Sequence, residues 1–427
     1  MDQRAAHAMI RFGLGRRGAE PAPADPRGWL AGQLDGPDAG LAAPGHAAVE
    51  GLVALRAIQA KTVPRSIIQD IFRADSNAAV NTLLTTAQPF RERLVWFWAN
   101  HFTVSIKKPL CAGMVNGYVR EAIRPHVTGR FGDMVLAVMR HPAMLYYLDN
   151  GGSIGPDSPV GKRQQKGLNE NLARECLELH TVTPASGYSQ ADVTNFARVL
   201  TGWSISYDPA NPGFIFRPNT HEPGEKIVMG QRFPAGEQGG VTALAWLAAH
   251  PAATKNIATQ LVRHFVADVP PADAVAKIDG VLRRSGGDLK AASLALLDLP
   301  EAWRPLGKLR TPFDYVVGVL RALDLPVERR PDVIGVLSGL GQPLHNAPLP
   351  NGWADTAADW SGPETMLRRV DWAYATAARA AGMDPVVLAD NSLGPLLPPT
   401  TREQIARAGS QREAVTLLLA GPEFQRR

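Results

Sequence analysis

The 427-residue chain contains only two cysteines, Cys111 and Cys176, too few for a disulfide framework or a four-cysteine zinc site, and without metal-ligand spacing. Long apolar runs are missing too. No stretch approaches the roughly 20 apolar residues of a membrane-spanning helix, because Arg, Asp or Pro interrupts each one, so no membrane span is expected. Lysine is scarce, supplying ten of the 45 basic residues, and no basic stripe is interleaved with aromatics, so nucleic acid is not an expected partner. The net charge of +5 goes with heavy use of Arg, Ala, Gly and Pro, and a coding bias accounts for it as well as an anionic partner does. Met1 to His7 shows no charged segment followed by an apolar core; with no export signal in view, a cytoplasmic protein is the default expectation. The sequence has no Gly-x-Ser-x-Gly elbow, Walker loop, His-Glu-x-x-His or EF-hand, and no repeat of fixed period.

Apolar surface, by contrast, is plentiful. Hydrophobic residues make up 45% of the chain and charged residues 20%, enough burial to offset the entropy of ordering. Apolar positions recur at three- and four-residue spacing, broken at Pro or Gly, which predicts an all-α, multi-helix bundle-like body. Helices are expected near 3–12, 27–34, 46–61, 65–74, 76–86, 89–102, 113–124, 131–139 and 142–149. They continue near 168–181, 189–201, 241–249, 251–266, 271–284, 287–297, 311–323, 331–339, 363–381 and 401–419. Gly213 to Arg217 and Lys226 to Met229 are expected to form the two strands of one small β-hairpin within a long loop, 203–240. Further loops are expected at 151–167 and 341–362. The expected organisation is a main helical domain over 1–304, including the long loop, with a C-terminal helical subdomain, 305–427, packed on it.

Gly13-Leu-Gly15-Arg-Arg-Gly18 has the glycine spacing of a dinucleotide fingerprint, but a helix precedes it and Pro21, Pro23 and Pro26 follow. Without a strand feeding the turn and a helix opening after it, the segment reads as a helix end and loop. His101 falls on the apolar stripe of Phe90, Leu94 and Phe97, so its ring is either a core imidazole bonded to a backbone carbonyl or a ligand or acid–base group. In the helix near 168–181, Asn171, Glu175 and Glu178 form one polar stripe beside Leu168, Leu172 and Leu179. Two carboxylates one turn apart either hold a divalent cation or, if dry, split into an acid and a base. Arg174 offers a different reading, an ion-pair ladder between Glu170 and Glu178. His180 points away from both glutamates on α-helical geometry, and metal ligands would have to come from elsewhere, such as His101, His141 or His221.

Ser189 and Asp192 resemble a capping box with Asp at the third position, with Asp192 expected to face the preceding helix and Arg198 to neutralise a glutamate across the seam. His141-Pro142 and His250-Pro251 have the placement of helix caps. His221 and Lys226, in the long loop, read either as functional groups or as an exposed charged turn.

Phe97 to Ser105, Ile123 to His126, His141 to Leu145, Leu148 to Asn150, Asn169 to Glu175, Glu178 to His180, Asp192 to Trp203, Leu261 to Phe265, Leu340 to Pro343 and Pro350 to Trp353 together resemble a large bacterial family, domain of unknown function 1800. The likeness runs from about Arg11 to the end. It implies no established activity; it does imply a partner, because genes of this family commonly stand beside those of a second family similar to sulfatases and phosphatases. Asn195 stands where relatives usually have glutamate, and Cys176 where they usually have Leu or Met.

Two functional expectations follow. The first is a carboxylate–histidine site of His101, Glu175 and Glu178, supported by Asn171, Arg174, Asp192, Arg198 and His221, that binds a divalent metal or performs acid–base hydrolysis. The second is a non-catalytic partner or assembly factor of the sulfatase-like neighbour, with the same polar groups fixing helix packing.

Overall fold

The structure, a computed structural model, describes residues 1–165 and 167–427; Lys166, inside the expected 151–167 loop, lies outside the described residues. Helices take up 62% of the chain, so the architecture is all-α as expected, with the β-strands among the described residues confined to 203–233. No helix among the described residues is long and apolar enough to cross a membrane.

Two apolar cores organise the helices. The first runs from Ala8 to Ala302 and holds an aromatic knot in which the Phe12 ring meets Phe90 (5.9 Å), Phe265 (5.9 Å) and Trp303 (5.1 Å). The second joins residues of 315–424 to Ala6, Ile10, Leu14, Val80, Leu83 and Leu84. The first helical segment, Gln3–Phe12, therefore serves both: Ala6 and Ile10, four residues apart, lie on one face with Leu14 just beyond its end, while Ala8 and Phe12 lie on the opposite face. Arg321 joins the same parts by polar contacts. Fully buried, it donates to the Gly15, Leu83 and Leu84 carbonyls, capping the end of the Ser66–Thr85 helix, where unsatisfied carbonyls favour a cation.

The segments expected as helices at 65–74 and 76–86 are one helix, Ser66–Thr85. Its polar middle is buried without breaking the helix, because Asp75 accepts from His46 (2.8 Å) and Ser76 from Asn116 (3.1 Å). The segment expected at 401–419 divides into Pro399–Ala406 and Gln411–Ala420, with Ser410 capping the second. Short helices Pro159–Gln164 and Pro385–Ser392 fill stretches with too few residues to show a period.

The single expected hairpin is two. β1 (Trp203–Ser206) pairs with β2 (Gly213–Phe216), and β3 (Lys226–Val228) with β4 (Gln231–Phe233). Local turn chemistry decides this: Met229 and Gly230 both have positive φ (48° and 78°) between the paired Val228 and Gln231, the two-residue turn that suits strand twist. The 13–18 glycines do end a helix. A Cβ on Gly13 would lie 2.5 Å from the Met9 carbonyl oxygen. His141 and His250 are caps, each accepting from the backbone N–H two residues on.

Candidate functional site

The Asn171–Glu175 helix continues as a π-helical turn over Cys176–His180. The wider turn shifts the buried face to Leu172, Ala173, Cys176, Leu177 and His180 and leaves Leu179 partly exposed, contrary to the face expected from α-helical spacing. His180 thus lies wholly in the core, neither ring nitrogen has a partner among the described residues, and burial pushes its pKa down to about 3. The His101 ring packs 5.7 Å from it and its Nε2 reaches the His180 carbonyl at 3.3 Å. Burial outweighs that bond and brings the His101 pKa to about 4.

Of the expected site residues, His101 and Glu178 share the wall of a cavity of about 540 Å³, and Glu175 does not line it. Arg174 spends its guanidinium on Glu170 (2.8 Å) and Gln190 (3.2 Å), so only half of the expected ladder exists and Glu178 keeps no ion pair among the described residues. Burial, then the Glu178 charge, raises the Glu175 pKa. No group of three or more His, Cys, Asp or Glu is placed to hold a metal ion among the described residues. His101, Glu175 and Glu178 therefore do not form the expected metal centre: the imidazole is turned to a carbonyl and one glutamate lies off the cavity.

The other expected residues belong to a different region. Asn171 is exposed. Asp192 closes the capping box with Ser189 (2.8 Å) and accepts from the Met229 amide (2.6 Å), so its carboxylate clasps the β3–β4 turn instead of facing the glutamates. Arg198 donates to Asn195 (3.1 Å) and neutralises no glutamate among the described residues. Asn195 in turn donates to the Ile227 carbonyl (2.9 Å), which an ionised glutamate at that position cannot do. His221 is buried: Nδ1 donates to the Thr201 carbonyl (2.7 Å) and Nε2 accepts from the Gly236 amide (2.7 Å). With Lys226 also buried and bonded to the Glu222 carbonyl, this turn is a clip between strands, not an exposed charged loop.

Around the cavity, the structure assembles a set that the sequence reading missed. Arg93 comes from the Pro89–His101 helix, His264 from Pro251–Phe265, Asp314 from Pro312–Leu323, and Asp355 from the loop before Ala357–Trp360. Asp314 accepts from Arg93 (2.9 Å) and pairs with Arg427 (2.9 Å). Burial alone would raise its pKa, but Arg427 and Arg93 outweigh it and hold the carboxyl at about 2. Asp355 takes His264 Nδ1–H at 2.6 Å and Arg427 at 3.2 Å, and Lys308 bonds Asp268 (2.7 Å) and the Asp355 carbonyl (2.7 Å). Burial lowers the His264 pKa to about 4 against the pull of Asp355, so the imidazole is neutral at pH 7, with Nε2 buried and without a partner among the described residues.

A faint signal existed in Arg91-Glu92-Arg93. Three consecutive charges span most of a helical turn, so an otherwise apolar helix must bury at least one; here all three are buried. Asn100 fixes the cavity loop, donating to the Trp353 carbonyl (2.9 Å) and accepting from its amide (2.8 Å).

No curated protein and no solved structure matches the chain. The family model described as "Protein of unknown function (DUF1800)" does match, over residues 7–426, and since that is essentially the whole fold, every residue of the cavity wall and all of both cores but Ala6 included, the chain belongs to this family.

Proposed function

We propose that the cavity is a hydrolytic acid–base site whose base is His264. The observation that carries this reading is the Asp355–His264 pair: Nδ1–H is fixed at 2.6 Å while Nε2, buried on a residue lining the cavity, has no partner among the described residues. A buried polar atom left unmade costs about 1–3 kcal/mol, a cost that engagement of a ligand atom removes. In the proposed step Nε2 takes a proton from a water as its oxygen bonds to the substrate's electrophilic centre. Asp355 stays ionised and stabilises the imidazolium, and the proton passes to the leaving group as its bond breaks. Glu178, without an ion pair among the described residues, supplies a second carboxyl on the same wall.

The test is a panel of chromogenic esters, phosphate esters, amides and glycosides given to the wild type and to His264→Gln. A loss of about 10²–10⁴-fold in kcat with an unchanged melt supports the reading. Turnover equal in both proteins, or none with any substrate class, overturns it.

The second reading, a non-catalytic partner of the sulfatase-like neighbour, is favoured by one feature. Leu367, Val370 and Tyr374, three and four residues apart on the Pro363–Ala377 helix, are 65%, 39% and 48% exposed, and exposed apolar stripes of this kind mark contact surfaces. Co-elution of the two purified proteins, abolished by Leu367→Glu, supports it; separate elution removes it.

A further inference from the structure

The groups lining the cavity indicate what it holds. Its charges are largely paired within the protein: Arg93 with Asp314, Asp268 with Lys308, Asp355 with Arg427 and His264. Three carboxamides on the wall are each half used. Asn256 gives its N–H to the Thr181 carbonyl (3.0 Å), Gln260 takes Arg263 on Oε1 (3.2 Å), and Gln342 takes the Phe313 amide on Oε1 (2.8 Å). The bonded end orients each amide; the other end, Asn256 Oδ1, Gln260 Nε2 and Gln342 Nε2, has no partner among the described residues. Beside them stand aromatic faces, Trp96 against Phe313 at 5.0 Å, and Trp353.

We infer that the cavity binds a short neutral saccharide. Hydroxyls that both donate and accept match fixed, uncharged amide ends of both kinds, and the C–H faces of a sugar ring lie against aromatic faces. The volume, about 540 Å³, is in the range of small-molecule sites. An anionic ligand fits poorly: Arg93, Lys308 and Arg427 are committed to carboxylates, Arg263 has no carboxylate partner among the described residues but gives its guanidinium to Gln260, and Glu178 and Asp359 on the same wall add carboxylates without an ion pair among the described residues. A sugar ring also places an acetal or ester-bearing carbon before the wall that carries His264. The inference thus deepens the acid–base reading and rests on it for the reaction, but not for binding.

The experiment is a tryptophan-fluorescence titration of the full chain with maltotriose, cellotriose, xylotriose and chitotriose, with adenosine and glucose 6-phosphate as comparators. At least one trisaccharide is expected to saturate below about 10 mM, and Gln260→Ala and Trp353→Ala each to weaken it by about tenfold without lowering the melting temperature. If none saturates, or a comparator binds more tightly than every trisaccharide, the inference is overturned. Loss of binding in neither variant also overturns it, by placing the sugar elsewhere. The two proposals fail separately. Saccharide binding with turnover indifferent to His264→Gln sinks only the acid–base reading, whereas His264-dependent cleavage of a simple ester without saccharide binding sinks only this one.

Discussion

Asp314 is the residue on which the buried charges depend, since without its carboxylate Arg93 loses its ion pair and Arg427 keeps only Asp355 among the described residues. Asp314→Asn is therefore expected to cost about 3–5 kcal/mol, the usual penalty for removing one partner of a buried pair, measured by urea denaturation. Glu364→Gln is the control. It breaks a solvent-exposed pair with Arg368, and exposed pairs contribute little, so its midpoint should match the wild type; equal midpoints for all three proteins would mean that the Asp314 network carries no stability. Residues whose partners are near in sequence were legible beforehand: the caps at His141, His250 and Ser189 and the capping role of Asp192 follow from neighbours two or three positions away. Arg93 and Asp314 were not, because they are 221 residues apart and nothing local marks either as half of a pair.

Among the elements, the cavity loop depends on Gly352. Its φ is 75°, and a Cβ there would stand 2.4 Å from the Asn100 carbonyl oxygen and 2.9 Å from Thr103 Oγ1, so the loop lies directly on the Pro89–His101 helix end. Gly352→Ala is expected to destabilise by at least about 1–3 kcal/mol through backbone strain and to change the emission of the adjoining Trp353; a calorimetric melt and a fluorescence spectrum unaltered from the wild type would show the loop free to relax. Periodicity revealed most helices here, since a 3.6-residue period survives in any segment of two or more turns. It could not reveal the π turn at Cys176–His180, which changes the period itself, and so the buried face was read wrongly from Leu177 onward. The strands at 213–216 and 226–228 were visible as apolar runs, but their partners were set by turns whose backbone geometry the apolar pattern does not encode.

Across the whole molecule, burial holds several imidazoles neutral. His7, His101, His264 and His345 fall to about 4 and His180 to about 3, against about 6.5 in the unfolded chain. Each folded value is below the unfolded one, so their contribution is fully present above pH 6.5. As pH falls from 6.5 toward 4 the unfolded chain gains protons that the folded chain refuses, and stability drops by about 1.4 kcal/mol per pH unit for each such proton. Urea midpoints are therefore expected to be steady from pH 8 to 7 and to fall steeply between pH 6.5 and 4; a midpoint at pH 5 equal to that at pH 7 would contradict the placement of these rings. Chain order has a further consequence. Arg427 reaches both Asp314 and Asp355, and its backbone exchanges hydrogen bonds with Lys308 in both directions (3.1 and 2.8 Å). During synthesis the helices that bear Arg93 and His264 leave the ribosome long before that guanidinium exists, so Asp314 and Asp355 wait without one of their cationic partners until residue 427 docks.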